Sequence, residues 1–178
     1  MNDKKHDTIL HEGRFLRLVV REGWEYVERP NISGIVVIAA VTEQRELVLV
    51  EQYRPPVAAR TIELPAGLAG DIPGTETEDL AEAARRELLE ETGYEAPRMD
   101  RLTEYPSSAG LTSEILTLYH APGVRRVGPG GGDHNEDIET HVVPLAEVDA
   151  WLAAQERAGR MIDPKVYAGL YFIERLGP

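Results

Sequence analysis

The chain has 178 residues with a net charge of −12, and 42% of its residues are hydrophobic. This length and apolar content suit one sizeable domain with its own core and exclude wholesale disorder. The acidic balance argues against a protein that binds duplex nucleic acid, and the lack of cysteine excludes disulfides and thiolate metal sites.

Three features of the sequence bear on its location. No apolar run reaches the length of a membrane span, and residues 1–8 lack the apolar core of a signal peptide. A chain without cysteine suits a reducing compartment. We therefore expect a cytoplasmic protein.

The first predicted element in chain order is a β-hairpin formed by residues 9–20 and 24–28. Both runs are strand-like, and Gly23 supplies the turn signal between them. Because two strands alone are marginally stable, we expect the hairpin to dock on its own domain or on a second subunit. The chain is accordingly divided into an N-terminal strand region, 1–30, and a main domain, 31–178.

The most strand-prone runs are residues 34–41 and 46–52. The first, GIVVIAAV, is apolar almost throughout, which is typical of a strand covered on both faces. Further strands are predicted at residues 61–64, 99–105, 115–120 and 139–143.

Three helices are predicted. The second half of the segment 64–94 is rich in helix-forming residues, and Gly93 stands where that helix is expected to end. Residues 145–156 show apolar side chains at helical spacing. Asp163, an N-cap residue followed by proline, predicts a final helix that ends at Leu176.

Residues 122–135 contain a run rich in glycine, 128–132, and are predicted to form a flexible loop. Long loops in compact domains are often functional, and acidic residues follow this one. The loop is therefore expected to be either an idle linker or a mobile catalytic arm with residues 130–132 as its hinge.

The predicted helix within residues 64–94 carries three carboxylates on one side. Glu87, Glu90 and Glu91 are three and four residues apart, so they face the same way and repel one another. A hard divalent cation with oxygen ligands, above all Mg²⁺, would turn that repulsion into attraction. The alternative is a solvated acidic face.

Several residues of this segment follow the order of a known motif: Glu78, Arg86-Glu87-Leu88, Glu90-Glu91 and Gly93-Tyr94. They resemble the second half of the Nudix box, a glycine, then E, then REUXEEXGU, where U is a bulky apolar residue. One position departs from the box, because the glycine expected before the first Glu is Ile72 here. Gly67 is the plausible equivalent, followed by a longer loop, 68–77. We interpret the departure as a loop insertion that leaves the helix intact.

Four flanking segments resemble those of ADP-ribose pyrophosphatases: residues 24–29, 52–56, 63–67 and 135–139. The resemblance implies an α/β fold, an α/β/α sandwich around a mixed sheet, with N-terminal strands that reach across a homodimer. It also implies hydrolysis of a nucleoside diphosphate sugar to a nucleoside monophosphate and a sugar phosphate. Metal ions suit this reaction, because they neutralise the pyrophosphate charge and lower the pKa of bound water.

The resemblance assigns roles to residues of the box. Glu87 and Glu91 are the expected core ligands of Mg²⁺, with Mn²⁺ as a possible substitute, and Glu90 and the backbone carbonyl of Ala66 assist them. Arg86 is expected to orient these carboxylates rather than to touch substrate.

The general base is expected outside the box. In this family it commonly comes from a glutamate on a late loop, where Glu136 matches best and Glu139 is the runner-up. His134 is a further alternative. For Glu78, a structural and a catalytic role remain open.

Three residues are candidates for substrate binding. Trp24 is expected to stack on the nucleobase, unless it is a buried core tryptophan. Arg29 and Arg54 are expected to contact phosphate, because a guanidinium matches phosphate oxygens in geometry. For Arg54, pairing with a nearby carboxylate is the alternative.

Two other functions compete with ADP-ribose hydrolysis. The same chemistry could act on GDP-mannose, ADP-glucose, a dinucleoside polyphosphate or a free nucleotide. The second alternative is a non-catalytic sensor that binds a nucleotide sugar. Such sensors tend to have lost box carboxylates, whereas this chain keeps all three.

Overall fold

Two β-sheets, three α-helices and a short 3-10 helix (Pro55–Val57) lie within residues 7–132 and 137–177, the part of the chain that this computed structural model describes. The smaller sheet is antiparallel and contains β1 (Thr8–Glu12), β2 (Arg17–Arg21) and β3 (Trp24–Glu28). The larger sheet contains β4 (Gly34–Thr42), β5 (Glu46–Arg54), β6 (Ala59–Glu63), β7 (Ala66–Ala69), β8 (Tyr94–Glu95), β9 (Asp100–Pro106), β10 (Ile115–Arg126), β11 (Glu139–Pro144) and β12 (Met161–Ile162). The helices are α1 (Leu80–Thr92), α2 (Val148–Arg157) and α3 (Pro164–Leu176).

The larger sheet is mixed, with β4 near its centre. β4 runs parallel to β10 and antiparallel to β5 and β7. On one side, β5 also pairs with β6 and β11, and β6 pairs with β12. On the other side, β10 pairs with β9 and β8. As its apolar sequence predicted, β4 is buried along most of its length.

The helices cover both faces of this sheet. Ala83, Ala84 and Leu88 of α1 pack against one face, in a cluster that includes Val36 and Ile38 of β4. Helices α2 and α3 pack against the other face through Val148, Leu152, Val166 and Ile173. The arrangement confirms the predicted α/β fold, with helices on both sides of a mixed sheet.

The N-terminal region is a three-stranded sheet rather than the predicted hairpin. A turn in which the Gly13 amide donates to the Leu16 carbonyl at 2.8 Å splits the predicted strand 9–20 into β1 and β2. β3 docks on its own domain, because the Val27 amide donates to the Leu111 carbonyl at 2.8 Å and the Ser113 amide to the Val27 carbonyl.

Three other boundaries differ from the sequence-based expectation. The predicted loop 68–77 begins later, because Leu68 and Ala69 belong to β7 and pair with β4. The predicted loop 122–135 also begins later, because β10 continues to Arg126 through a register shift after Pro122. Helix α2 begins at Val148 rather than at residue 145. Among the described residues, no helix has the length and apolar character needed to cross a bilayer.

Candidate active site

Helix α1 presents the acidic cluster that the sequence predicts. Asp79 caps its N-terminus by accepting hydrogen bonds from the amides of Ala81 and Glu82. Gly93 ends it in the left-handed conformation, φ 74°, as predicted. These two caps set where α1 begins and ends, and the spacing of its glutamates places them on one side.

Glu91 is held against the strand that precedes α1. Its side chain is 4% exposed, and its Oε2 accepts a hydrogen bond from the Ala66 amide at 3.0 Å. The structure therefore brings together two residues that the resemblance assigned to one metal site.

Glu87 lies against Gly67 so closely that a side chain at residue 67 would displace its carboxylate. A Cβ on Gly67 would stand 1.9 Å from the carboxyl carbon of Glu87 and 2.3 Å from both of its oxygens. Gly67 is thus required by the close approach of β7 to α1, which supports its interpretation as the equivalent of the box glycine.

Arg86 connects the carboxylates of the box. Its guanidinium donates to Glu78 at 3.1 and 3.2 Å, to Glu87 at 2.8 Å and to Glu90 at 3.3 Å. It also donates to the Leu68 carbonyl at 2.9 Å. These are the contacts of a residue that orients the carboxylates, and they give Glu78 a structural partner.

The cluster carries negative charge that its surroundings do not fully compensate. Burial raises the pKa of Glu87 to about 7, Arg86 opposes that shift, and the neighbouring Glu90 adds to it. By contrast, the hydrogen bonds from Arg86 lower the pKa of Glu78. A bound cation would relieve the repulsion at Glu87.

Two adjoining clefts meet at Ala66, Gly67 and Leu68. One, of about 540 Å³, is lined by Arg86, Glu87 and Glu90 and by Asp71, Ile72 and Gly132. The other, of about 360 Å³, is lined by Arg29, Gln52, Arg54, Glu63, Glu91, Ser107, Glu114 and Lys165, among others. The structure therefore places both phosphate-contact candidates in the cleft next to the carboxylates.

The arginines of the second cleft are paired with carboxylates. Arg54 makes a bidentate contact with Glu63 at 2.6 and 2.7 Å, the alternative that the sequence left open, and Arg29 lies 3.3 Å from Glu114. Sequence reasoning missed Glu63 and Glu114. The only signal for Glu63 was an acidic residue in an otherwise apolar strand end.

Trp24 lies in a different groove. Its side chain is 63% exposed, which excludes a core tryptophan, and its indole N–H donates to the Gly110 carbonyl at 3.1 Å. The groove, of about 430 Å³, is also lined by Arg21, Tyr26 and Thr112. Among the described residues, Trp24 lies outside the cleft that contains Arg29 and Arg54.

The first candidate for the general base, Glu136, lies outside the described residues, as does His134. Glu139 is described and pairs in register with Glu51 on β5. Thr140, the next residue, points its hydroxyl at the Glu91 carbonyl, 3.5 Å away. Because side chains alternate along a strand, Glu139 faces away from α1.

A model of the NUDIX domain matches residues 31–164 of this sequence. The chain belongs to the Nudix family. The resemblance drawn from the box and the expected fold are thereby confirmed. A methanol dehydrogenase activator of Bacillus methanolicus is 32% identical, with 94% of this chain and 91% of that protein covered. An ADP-ribose pyrophosphatase of Bacillus subtilis is 31% identical, with 68% of each chain covered.

A solved structure of an ADP compounds hydrolase has the same fold. It superposes on this Nudix chain with a TM-score of 0.70 and covers 96% of it and 91% of the other chain, at 20% identity. At 20% identity, this similarity supports the fold alone.

The donor set of the Nudix helix fits a hard divalent cation. Glu87, Glu90 and Glu91 offer only oxygen atoms, the ligand atoms that hard cations such as Mg²⁺ prefer. Among the described residues, the ligand atoms of a second group, Glu51, Glu139 and His141, lie within 4.8 Å of one another.

That second group is already balanced by cations of the protein. Glu51 is 1% exposed and accepts hydrogen bonds from Arg60 at 2.5 Å and Arg160 at 2.8 Å, and it lies 3.0 Å from His141. Two guanidiniums at one carboxylate oppose a further cation there. We therefore interpret this group as an ion-pair network that joins β5, β6 and β11.

Proposed function

We propose that this Nudix chain hydrolyses a nucleoside diphosphate sugar, with ADP-ribose as the first candidate, to a nucleoside monophosphate and a sugar phosphate. The observation that carries the proposal is the junction of two clefts at Ala66 and Gly67, one lined by Glu87 and Glu90 and the other by Arg29 and Arg54. The name of the Bacillus subtilis relative, an ADP-ribose pyrophosphatase, supports the substrate class.

The residues divide the work as follows. Glu87, Glu90, Glu91 and the Ala66 carbonyl would hold Mg²⁺, or Mn²⁺ in its place. When bound, the ion neutralises the charge of the diphosphate and favours deprotonation of the attacking water. Arg86 would keep the carboxylates in place.

The two cleft arginines would bind the diphosphate. Both residues carry guanidiniums, which their present partners, Glu63 and Glu114, hold in fixed orientations. Their remaining N–H groups suit phosphate oxygens. Trp24 would stack on a nucleobase in its own groove.

We propose Glu136 as the general base, on the strength of its sequence position after the glycine run. Glu139, the other candidate, faces α2 and α3, because its partner Glu51 sits on the same side as Leu49 and Ile62 of that core. Glu136 therefore remains the first choice, and its role stays a prediction.

Assembly and location belong to the same proposal. The N-terminal sheet leaves Ile9, Leu10, Phe15 and Leu16 between 42% and 62% exposed, more apolar surface than a small sheet covers by itself. We propose that residues 1–30 contribute to a homodimer interface beside the Nudix domain of residues 31–178, and that the dimer acts in the cytoplasm.

A substrate screen tests the proposal. The protein would be incubated with Mg²⁺ and ADP-ribose, ADP-glucose, GDP-mannose, a dinucleoside polyphosphate and a nucleoside triphosphate, and phosphate measured after phosphatase treatment. Fastest release from a nucleoside diphosphate sugar supports the proposal. Faster hydrolysis of the triphosphate or the polyphosphate would replace the substrate class, and binding of ADP-ribose without turnover of any compound would point to a sensor.

A further inference from the structure

The end of α1 is electrostatically unusual. A helix C-terminus is a negative pole that ordinarily favours basic side chains, yet the last turn of α1 has none. It carries Glu90 and Glu91 instead, with Glu87 one turn before. Arg86 donates to Glu87 and Glu90, but three carboxylates outnumber it, so they and the negative end of the helix dipole destabilise the same turn.

Backbone amides of the glycine segment, residues 128–132, meet that helix end. The Gly131 amide donates to the Glu91 carbonyl at 2.8 Å, and the Gly132 amide to the Glu90 carbonyl at 3.0 Å. These are two of the carbonyls that a helix leaves without an internal partner. The partial positive charges of the Gly131 and Gly132 amides offset the negative pole of the helix where the carboxylates lie.

A second contact fixes the glycine segment to Gly93, the residue that follows α1. The Gly93 carbonyl accepts hydrogen bonds from the amides of Val127 at 2.8 Å and Gly128 at 3.0 Å. Arg126 braces the segment by donating to the carbonyls of Gly128 and Pro129. Gly131 and Gly132 are thus hydrogen-bonded to α1 here, whereas the sequence had suggested a hinge at residues 130–132.

Only glycine permits this contact. A Cβ on Gly130 would stand 2.4 Å from the Thr92 carbonyl carbon and 2.7 Å from the Gly93 nitrogen, and its φ is +69°. Unlike a flexible side chain, the backbone of a helix end cannot move aside alone. A side chain at residue 130 would push the segment and the last turn of α1 apart.

We propose that the glycine segment is a support of the metal site, and that Gly130 is a positioning residue for the carboxylates of Glu90 and Glu91. By capping the carbonyls of these two residues, the segment fixes the backbone from which their side chains project. Mg²⁺ demands near-ideal octahedral geometry, so a displaced turn binds it less well. This inference rests on the metal site of the proposed function.

The first test compares Mg²⁺ affinity, measured by titration calorimetry, in the wild type, Gly130→Ala and Gly159→Ala. Gly159 is the matched control, because it also has positive φ, +86°, but a Cβ there meets nothing within 4 Å. We expect Gly130→Ala to weaken Mg²⁺ binding by about tenfold or more, in the range found when the supports of metal ligands are removed. Gly159→Ala should stay within about twofold, since it contacts no support.

The second test uses the wild type alone and does not depend on whether the variant folds. Coupling is reciprocal, so if the docked segment favours metal binding, metal binding must favour the docked segment. Saturating Mg²⁺ should therefore slow hydrogen exchange at the amides of Gly131 and Gly132. Unchanged exchange at both would overturn the inference, as would equal Mg²⁺ affinity in Gly130→Ala and Gly159→Ala.

A failure of the metal site can be distinguished from a failure of the inference about the glycine segment. A wild-type protein that binds no Mg²⁺ in the calorimeter would overturn the site and this inference together. Wild-type binding combined with either negative result above would overturn this inference and leave the metal site standing.

Discussion

Gly67→Ala should lower the catalytic efficiency of this protein much more than its stability. The new methyl would meet the Glu87 carboxyl carbon at 1.9 Å, so the carboxylate must retreat by about 1.5 Å to reach ordinary contact at 3.4 Å. The end of a glutamate side chain can move that far without displacing the backbone. The free energy of unfolding should therefore fall by only about 1 kcal/mol, the low end for overpacking.

The effect on catalysis should be much larger. Ligands of Mg²⁺ tolerate little displacement, and a misplacement of about 1 Å in an active site can lower the rate about a hundredfold. We expect kcat/KM for the best substrate in the screen to fall about a hundredfold in Gly67→Ala. Steady-state kinetics would be measured beside thermal unfolding of the same preparations.

Gly34→Ala is the control for that experiment. It also places a methyl against the end of a flexible side chain, Leu80 Cδ2 at 2.8 Å, but away from the carboxylates. It should lose similar stability and keep its activity. Near-normal activity in Gly67→Ala, or an equal loss in both variants, would refute the link between the Gly67–Glu87 contact and catalysis.

Three further predictions concern other parts of the molecule. Burial raises the pKa of Glu51, but hydrogen bonds from arginine and histidine outweigh it and leave the pKa below its ordinary value. The stabilisation of the folded protein by these bonds is therefore present above about pH 4.3 and lost at lower pH. Glu51→Gln should therefore lower the free energy of unfolding at pH 7 by about 2 kcal/mol, less than for fully buried pairs because its arginines are part-exposed, and the difference should shrink in acid denaturation curves. Glu136→Gln should lower kcat about a hundredfold with little change in KM, whereas Glu139→Gln does much less, and reversed results would make Glu139 the base. Light scattering should show a dimer, and a monomer at micromolar concentration would contradict the proposed interface.

The sequence predicts the parts of this fold that depend on local patterns. Helix α1 ends at Gly93 because a glycine can adopt the left-handed conformation there, and α3 begins after Asp163, whose side chain accepts from the Lys165 amide. β4 is recognisable because a strand buried on both faces is apolar throughout. Each of these signals lies within a few residues of the element it predicts.

The missed elements depend on contacts between distant segments. β7, with the sequence AGLA, has no strand-like composition and forms because β4 offers it a pairing edge. β10 continues past Pro122, a residue without an amide hydrogen, because the register shift there lets pairing with β4 resume at Val124.

The candidate site shows the same division. The box placed Glu87, Glu90 and Glu91 on one helix, and their spacing sufficed for that. Nothing in the spacing indicated that Glu63 would pair with Arg54, because that contact depends on the pairing of β5 with β6. Nor did it indicate that the glycine segment would cap α1, because that contact joins segments far apart in the chain.

The central claim is that the carboxylates of α1 hold the metal for hydrolysis of a nucleoside diphosphate sugar. Its most direct test is turnover of ADP-ribose against Mg²⁺ concentration in the wild type, Glu91→Gln and Glu82→Gln, an exposed first-turn glutamate of the same helix. The account predicts that Glu91→Gln folds normally but loses most of its turnover and its Mg²⁺ affinity, while Glu82→Gln behaves as the wild type. Near-normal turnover in Glu91→Gln would contradict it.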